Sequence, residues 1–209
     1  MNDVAPTPDQ GGPAVVAGVA PVARVVIAAL LRGGHHVVGL VDPLDDAGPE
    51  PADLAADLAA GRYLVTDDPA AAAGFAVALV TEPRDDDAGL SPAERYTAAL
   101  APHLRRGGLL VVASPTAEYT GGVVAATVEL LTGLEAGSDY ALAHLFGPVP
   151  HGRLIVSGVD VTSATRAEEW LAALGLPVMP VLPVAAAEVV ASLLARGARP
   201  DDETDPGGG

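Results

Sequence analysis

Short apolar runs alternate with stretches of helical period along most of this chain. Ala14 to Ala17 is apolar throughout, Pro21 to Leu31 repeats its apolar residues at helical spacing, Gly33-Gly34 stops that repeat, and Val37 to Val41 is a second apolar run ending at Asp42-Pro43. A strand, a helix and a strand within about thirty residues call for a parallel pair joined by a right-handed crossover, since a short turn joins only antiparallel strands. The alternation continues with a helix at Ala52 to Ala60, an extended piece at Arg62 to Val65, a helical turn from Pro69 and a strand at Phe75 to Val80. Ser91-Pro92-Ala93-Glu94 combines a serine cap, a proline at the first helical position and a glutamate three residues after the cap. The helix it opens runs to about Leu104, before Gly107-Gly108. A strand at Leu109 to Ala113, a helix at Gly122 to Leu131 and strands at Tyr140 to Leu145 and Leu154 to Ser157 come next. A helix at Ala164 to Leu174, a strand at Val178 to Leu182 and a helix at Val184 to Arg196 complete the pattern. So regular an alternation predicts an α/β fold, a doubly wound and mostly parallel sheet with helices on both faces.

The two ends break the pattern. Residues 1–13 and 197–209 are rich in Pro, Gly and acidic residues, without periodicity, and read as a flexible N-terminal tail and a disordered C-terminal one. Residues 14–196 between them read as one domain, with 14–145 as its core and 146–196 as a βαβα extension.

Composition narrows the function more than the fold. Half of the 209 residues are hydrophobic, yet no run approaches the ~18 uninterrupted apolar residues of a membrane span. The opening Met-Asn-Asp-Val-Ala-Pro has neither a basic nor an apolar export region, so a cytoplasmic protein is expected. Against 27 carboxylates stand 11 basic residues, all arginine, and the net charge of -16 repels phosphate backbones and anionic lipid, leaving neither nucleic acid nor membrane as an expected partner. Cysteine and lysine are absent, which removes thiol nucleophiles, Schiff-base lysines, disulfides and thiolate metal sites. The five histidines show no paired spacing on one helix, so no metal is expected. Gly-x-Ser-x-Gly and P-loop patterns are also missing.

A dinucleotide fold of the Rossmann type places G-x-G-x-x-G at its first strand-to-helix turn. The second glycine lets the backbone approach the pyrophosphate and the third lets helix and strand pack closely. Here the turn reads Gly18-Val19-Ala20-Pro21-Val22-Ala23, with alanine at the other two glycine positions. Alanine at the third is tolerable, whereas the Cβ of Ala20 stands where the phosphate would approach. Asp42 follows at close to the ~20-residue separation of a ribose-binding carboxylate. Gly18, Ala20 and Asp42 are therefore the cofactor-binding candidates, either for weakly bound NAD or as a turn that kept its shape and lost its ligand.

Val15 to Asp42 resembles the opening nucleotide-binding unit of the UDP-glucose/GDP-mannose dehydrogenase family, with Asp42 one residue later than the family's aspartate. Val80-Thr81-Glu82-Pro83 resembles that family's V-P-T-P turn, Val111 to Thr120 its S-T-V-P-P-G-T-T segment, and Leu154 to Asp160 and Val181 to Glu188 its later stretches. The resemblance covers about Ala14 to Arg196 and implies the family's N-terminal, NAD-binding domain. It also implies a homodimer, because Val184 to Arg196 resembles the start of the family's dimerising helix. The departures are chemical. The family's catalytic cysteine has no counterpart here, its catalytic lysine falls near Ala191, the glutamate of its P-E-R segment falls near Gly147, and its turn threonines are replaced by Glu82 and Pro115. A four-electron sugar oxidation through a thioester on cysteine has none of its groups in this sequence.

Ligands of open α/β sheets sit outside the carboxyl ends of the strands. The polar residues expected there are Asp42, Glu82, Ser114, Glu118, Tyr119 and His144. Glu118, Tyr119 and His144 form a candidate catalytic set of carboxylate, phenol and imidazole for proton transfer, with Glu82 and Ser114 as substrate contacts. Each also has a plain structural explanation: a first-turn helix acid, a core cover and a satisfied histidine. His35-His36 reads as structural, Asp85-Asp86-Asp87 as a solvated charge run, and His151 and Arg153 as loop residues open to an anion.

Three functions remain open. One is a repurposed, non-redox enzyme, without a cofactor, that cyclises, isomerises or dehydrates an apolar, polyketide-like small molecule by orientation and proton transfer. The others are a non-catalytic accessory protein that binds a partner or ligand, and a reduced NAD(P)-dependent oxidoreductase.

Overall fold

The computed structural model describes residues 12–18, 20–42, 54–81, 91–113, 117–149, 153–181, 186–187 and 189–190, with the backbone alone for 117–120 and 147–149. The strands are β1 (Ala14–Ala17), β2 (Val37–Leu40), β3 (Tyr63–Thr66), β4 (Val77–Thr81), β5 (Leu109–Ala113), β6 (Ala141–Val149), β7 (Arg153–Gly158) and β8 (Val178–Pro180). The helices are α1 (Pro21–Arg32), α2 (Ala55–Ala59), α3 (Pro92–Leu100), α4 (Ala117–Thr132) and α5 (Val161–Ala173). Single 3₁₀ turns at Pro69–Ala72 and Ala101–His103 add to them.

All eight strands form one sheet in the order β3-β2-β1-β4-β5-β6-β7-β8. Neighbours pair in parallel except β6 and β7, which are antiparallel. The chain steps outward from β1 through β2 to β3, then returns to β4 and steps the other way. Right-handed crossovers on the two sides therefore leave helices on opposite faces.

Side-chain alternation along the strands fills two separate cores. Val16, Leu79, Val111 and Ala143 point to one face and pack with Val26, Leu30, Trp170 and Leu171 of α1 and α5. Val15, Ala78, Val112 and Leu142 point to the other and pack with Tyr96 and Leu100 of α3 and Val124 and Val128 of α4. A third, small cluster joins Phe146, Ile155 and Ala187, so the helical residues 186–187 and 189–190 dock beyond β6 and β7.

Several boundaries differ from the sequence expectation: α3 ends at Leu100 and passes into the 3₁₀ turn, α5 begins at Val161 instead of Ala164, and β4 begins at Val77 instead of Phe75. α2 is a five-residue helix that begins at Ala55. α4 begins at Ala117 instead of Gly122, and Gly121-Gly122, which look like breakers, lie inside it. Gly121 is there for packing: a Cβ on it would collide with the His144 ring. β6 runs on past Leu145 to Val149, through Gly147-Pro148, and its register with β7 shifts between Phe146 and Val149. A bulge is a position where a strand tolerates Pro and Gly.

Candidate functional site

The chain reverses its direction of winding between β1 and β4, whose carboxyl ends lie side by side. Gly18 leaves β1 with φ of +93°, and its N–H donates to the Leu40 carbonyl at 3.0 Å. A Cβ at this residue would collide with the Thr81 hydroxyl and stand 2.8 Å from the Thr81 carbonyl. Only glycine meets both the dihedral and the space. Thr81 is fully buried and donates its hydroxyl hydrogen to the Ala17 carbonyl at 3.0 Å, which ties β4 to the turn. Ala20 is the N-cap of α1 with no side-chain cap, and Pro21 follows as the first helical residue.

Asp42 follows β2 at the same edge of the sheet, and α3 holds it at both ends. The Arg95 Nε donates to Asp42 Oδ2 at 2.7 Å, and the Asp42 N–H donates to the Tyr96 hydroxyl at 2.7 Å. Tyr96 is buried, with ring atom Cε2 3.4 Å from where a Gly18 Cβ would stand. It fills the space between the glycine turn and Asp42. The capping box sets its place: Ser91 N–H donates to Glu94 Oε2 at 2.5 Å, Glu94 N–H donates to Ser91 Oγ at 3.2 Å, and α3 then brings Arg95 and Tyr96 round together.

These residues fit a dinucleotide only in part. Gly18 has the positive φ of a tight turn, but a ribose diol on Asp42 would have to share its carboxylate with Arg95, and the Ala20 methyl adds bulk where a glycine would leave room.

The second group lies at β6. His144 was expected to end its strand; it stands within a longer one, opposite Val112 of β5 and Ser157 of β7. It is 1 % exposed, and burial lowers its pKa from 6.5 to about 4, so the imidazole is neutral at pH 7. Its Cε1–Nε2 edge lies along α4 at Gly121. Nδ1 has no hydrogen-bond partner among the described residues, and neither has the hydroxyl of fully buried Ser157. Glu118 and Tyr119 are in the first turn of α4, where only their helical backbone is described. At ~100° per residue the position of Tyr119 is about 200° round the axis from Gly121, and that of Glu118 about 60° from it on the other side of a full turn. Glu82 and Ser114, with His151, lie outside the described residues.

Of the sequence candidates, Gly18 and Asp42 share one edge of the sheet, whereas His144 lies two strands beyond β4 with α4 against it. Thr81, Arg95, Tyr96, Gly121 and Ser157 were not anticipated. Ser157 had a signal, a polar residue closing the buried run Leu154-Ile155-Val156; Arg95 and Tyr96 had none, because their partner is far away in sequence. Among the described residues no group of three or more His, Asp or Glu is placed to hold a metal. No described helix is long and apolar enough to cross a membrane.

No family model matches the chain, and no curated protein does. Solved structures do. The UDP-D-ManNAc dehydrogenase of Pyrococcus horikoshii superposes with a TM-score of 0.71 at 24% identity, over 85% of this chain and 48% of that one. The GDP-mannose dehydrogenase of Pseudomonas aeruginosa, solved as a ternary complex, gives 0.67 at 19% identity, over 86% and 48%. An imine reductase of Myxococcus stipitatus in complex with NADP+ gives 0.59 at 18% identity, over 88% and 60%. The chain thus spans about half the length of the dehydrogenases it matches. At these identities the likeness is one of fold: this chain has the dehydrogenase-like, Rossmann-type architecture found in part of the nucleotide-sugar dehydrogenases.

Proposed function

We propose that this chain puts a dehydrogenase-like scaffold to a non-redox use, acting without a cofactor on an apolar small molecule by orientation and proton transfer. The observation that carries the reading is the state of Asp42. The carboxylate at the ribose position is paired with Arg95, its N–H is taken by Tyr96, and Tyr96 fills the space up to Gly18. Among the buried polar atoms without a partner, His144 Nδ1 and Ser157 Oγ are opposed on neighbouring strands. A dehydration, an isomerisation or a ring closure needs a proton removed from one atom and delivered to another, with no change of oxidation state. In this scheme the proton-transfer groups are Glu118 and Tyr119. His144 serves as a neutral hydrogen-bonding group, because protonating an imidazole of pKa about 4 at pH 7 costs about 4 kcal/mol.

Mass spectrometry of metabolites made with and without the gene tests this. Loss of the protein should accumulate a compound isomeric with the normal product or one water heavier. A difference of two hydrogens, or a clear thermal shift of the purified chain in millimolar NAD(H), would sink the reading in favour of the oxidoreductase. The almost complete burial of His144 favours a second reading, a non-catalytic accessory protein. Under that reading Glu118→Gln and Tyr119→Phe leave product formation unchanged, and loss of the gene lowers yield without a new compound.

A further inference from the structure

We propose that His144 and Ser157 form a buried binding position for a single hydroxyl oxygen, that of a water or of an alcohol group on a ligand. The two residues are register partners on antiparallel strands, and so project from the same face of the sheet. Side chains so opposed have Cβ atoms about 5 Å apart, which brings both polar groups within reach of one oxygen making hydrogen bonds of ordinary length, ~2.8 Å each. Ser157 is fully buried and His144 1 % exposed, and neither Nδ1 nor the serine hydroxyl has a partner among the described residues.

The chemistry selects the occupant. A neutral imidazole nitrogen either donates or accepts, and a serine hydroxyl does both, so a group that itself donates and accepts complements the pair in either tautomer of the ring. A hydroxyl does; a carboxylate does not, and burying a charge here would be costly. Gly121 belongs to the same construction. A Cβ there would collide with His144 Cε1 and stand 2.6 Å from Nε2, so the glycine keeps the ring in its place under α4. The position does not depend on the non-redox reading, since it rests on β6, β7 and α4 alone.

Long-range ¹H–¹⁵N correlation spectra of the imidazole in the full chain test it. In the wild type the Nδ1 signal should be that of a hydrogen-bonded nitrogen, and Ser157→Ala should move it while the backbone amide spectrum stays folded. A nuclear Overhauser effect from a slowly exchanging water to the Ser157 amide identifies the occupant as water. A hydrogen-bonded Nδ1 without that water signal, with an alcohol recovered by mass spectrometry from the denatured protein, identifies it as a ligand. Imidazole signals identical in wild type and Ser157→Ala overturn the proposal. If the alanine variant does not fold, Ser157→Thr, which keeps the hydroxyl, should retain the wild-type signal and Ser157→Cys should lose it; equal signals in these two overturn it as well.

Discussion

His144 shows how burial by itself sets the chemistry of a residue. No neighbouring positive charge is needed to explain its low pKa; loss of water around the ring suffices. The consequence for stability has a definite sign. In the unfolded chain the imidazole takes up a proton near pH 6.5, whereas in the folded protein it does so near pH 4. Above pH 6.5 both states are neutral, and the residue introduces no pH dependence. As pH falls from 6.5 to 4 the unfolded state is favoured by about 1.4 kcal/mol per unit, reaching about 3 kcal/mol, and below pH 4 the slope vanishes. Other groups titrate in this window too, so the test is a difference. Chemical denaturation of wild type and His144→Gln between pH 8 and pH 4 should show the stability gap between them shrinking, or reversing, by that amount. A gap independent of pH would mean that the ring is solvated. Tyr140 is another buried titratable group with an unpartnered polar atom, its hydroxyl pushed up to about 12 by burial and by Glu129. Its phenol gains nothing from a hydrogen bond in the described structure. Tyr140→Phe should therefore leave stability at pH 7 within about 1 kcal/mol of wild type, or raise it. It should also abolish the loss of stability that the tyrosine brings as pH rises from 10 towards 12.

Among the elements, α3 does most to shape the candidate cofactor edge, and it depends on its first turn. Both reciprocal bonds of the capping box are made, and Arg95 and Tyr96 follow directly after Glu94. Ser91→Ala should cost about 1 kcal/mol in denaturant unfolding. An unchanged midpoint would show that tertiary packing of Tyr96 and Leu100 alone fixes the helix. The cap was legible in the sequence because its signal is local, four residues with distinct jobs. Strands β1, β2, β4 and β5 were legible for a similar reason: each is a short run of mainly apolar residues buried on both faces, and turn residues bound it. The start of α4 was not legible. Gly121 looks like a helix breaker until the ring of His144, on a different strand, is seen to need the space. The reversal at β7 follows from the few residues between Val149 and Arg153, too short for a parallel crossover, yet strand direction leaves no mark in apolar alternation. The site fared as the long-range contacts did. Gly18 announced itself by type and place, whereas the pairing of Asp42 with Arg95 joins residues 53 apart and no local pattern encodes it.

At the scale of the molecule, a common sheet topology is combined with an unusual charge. The strand order places the reversal between β1 and β4, the crevice where such sheets bind ligands, and Arg95 and Tyr96 of α3 stand beside it. The whole chain carries a net charge of -16 with only 11 cationic side chains to offset it. A domain of this length has a radius of gyration of about 17 Å. At 0.01 M salt the Debye length, ~30 Å, exceeds that radius, so every carboxylate repels every other across the molecule; at 0.15 M it is ~8 Å and only neighbours interact. The unfolded chain spreads the same charge over a larger volume, so low salt favours unfolding. The melting temperature should therefore climb by several degrees as sodium chloride rises from 0.01 to 0.15 M, with little further gain beyond. Local ion pairs such as Arg95 with Asp42 would be weakened by the same salt. A melting temperature that fell with salt would show that these few attractions outweigh the general repulsion, and that Asp42 and its arginine hold the fold together more than the excess of acids pulls it apart.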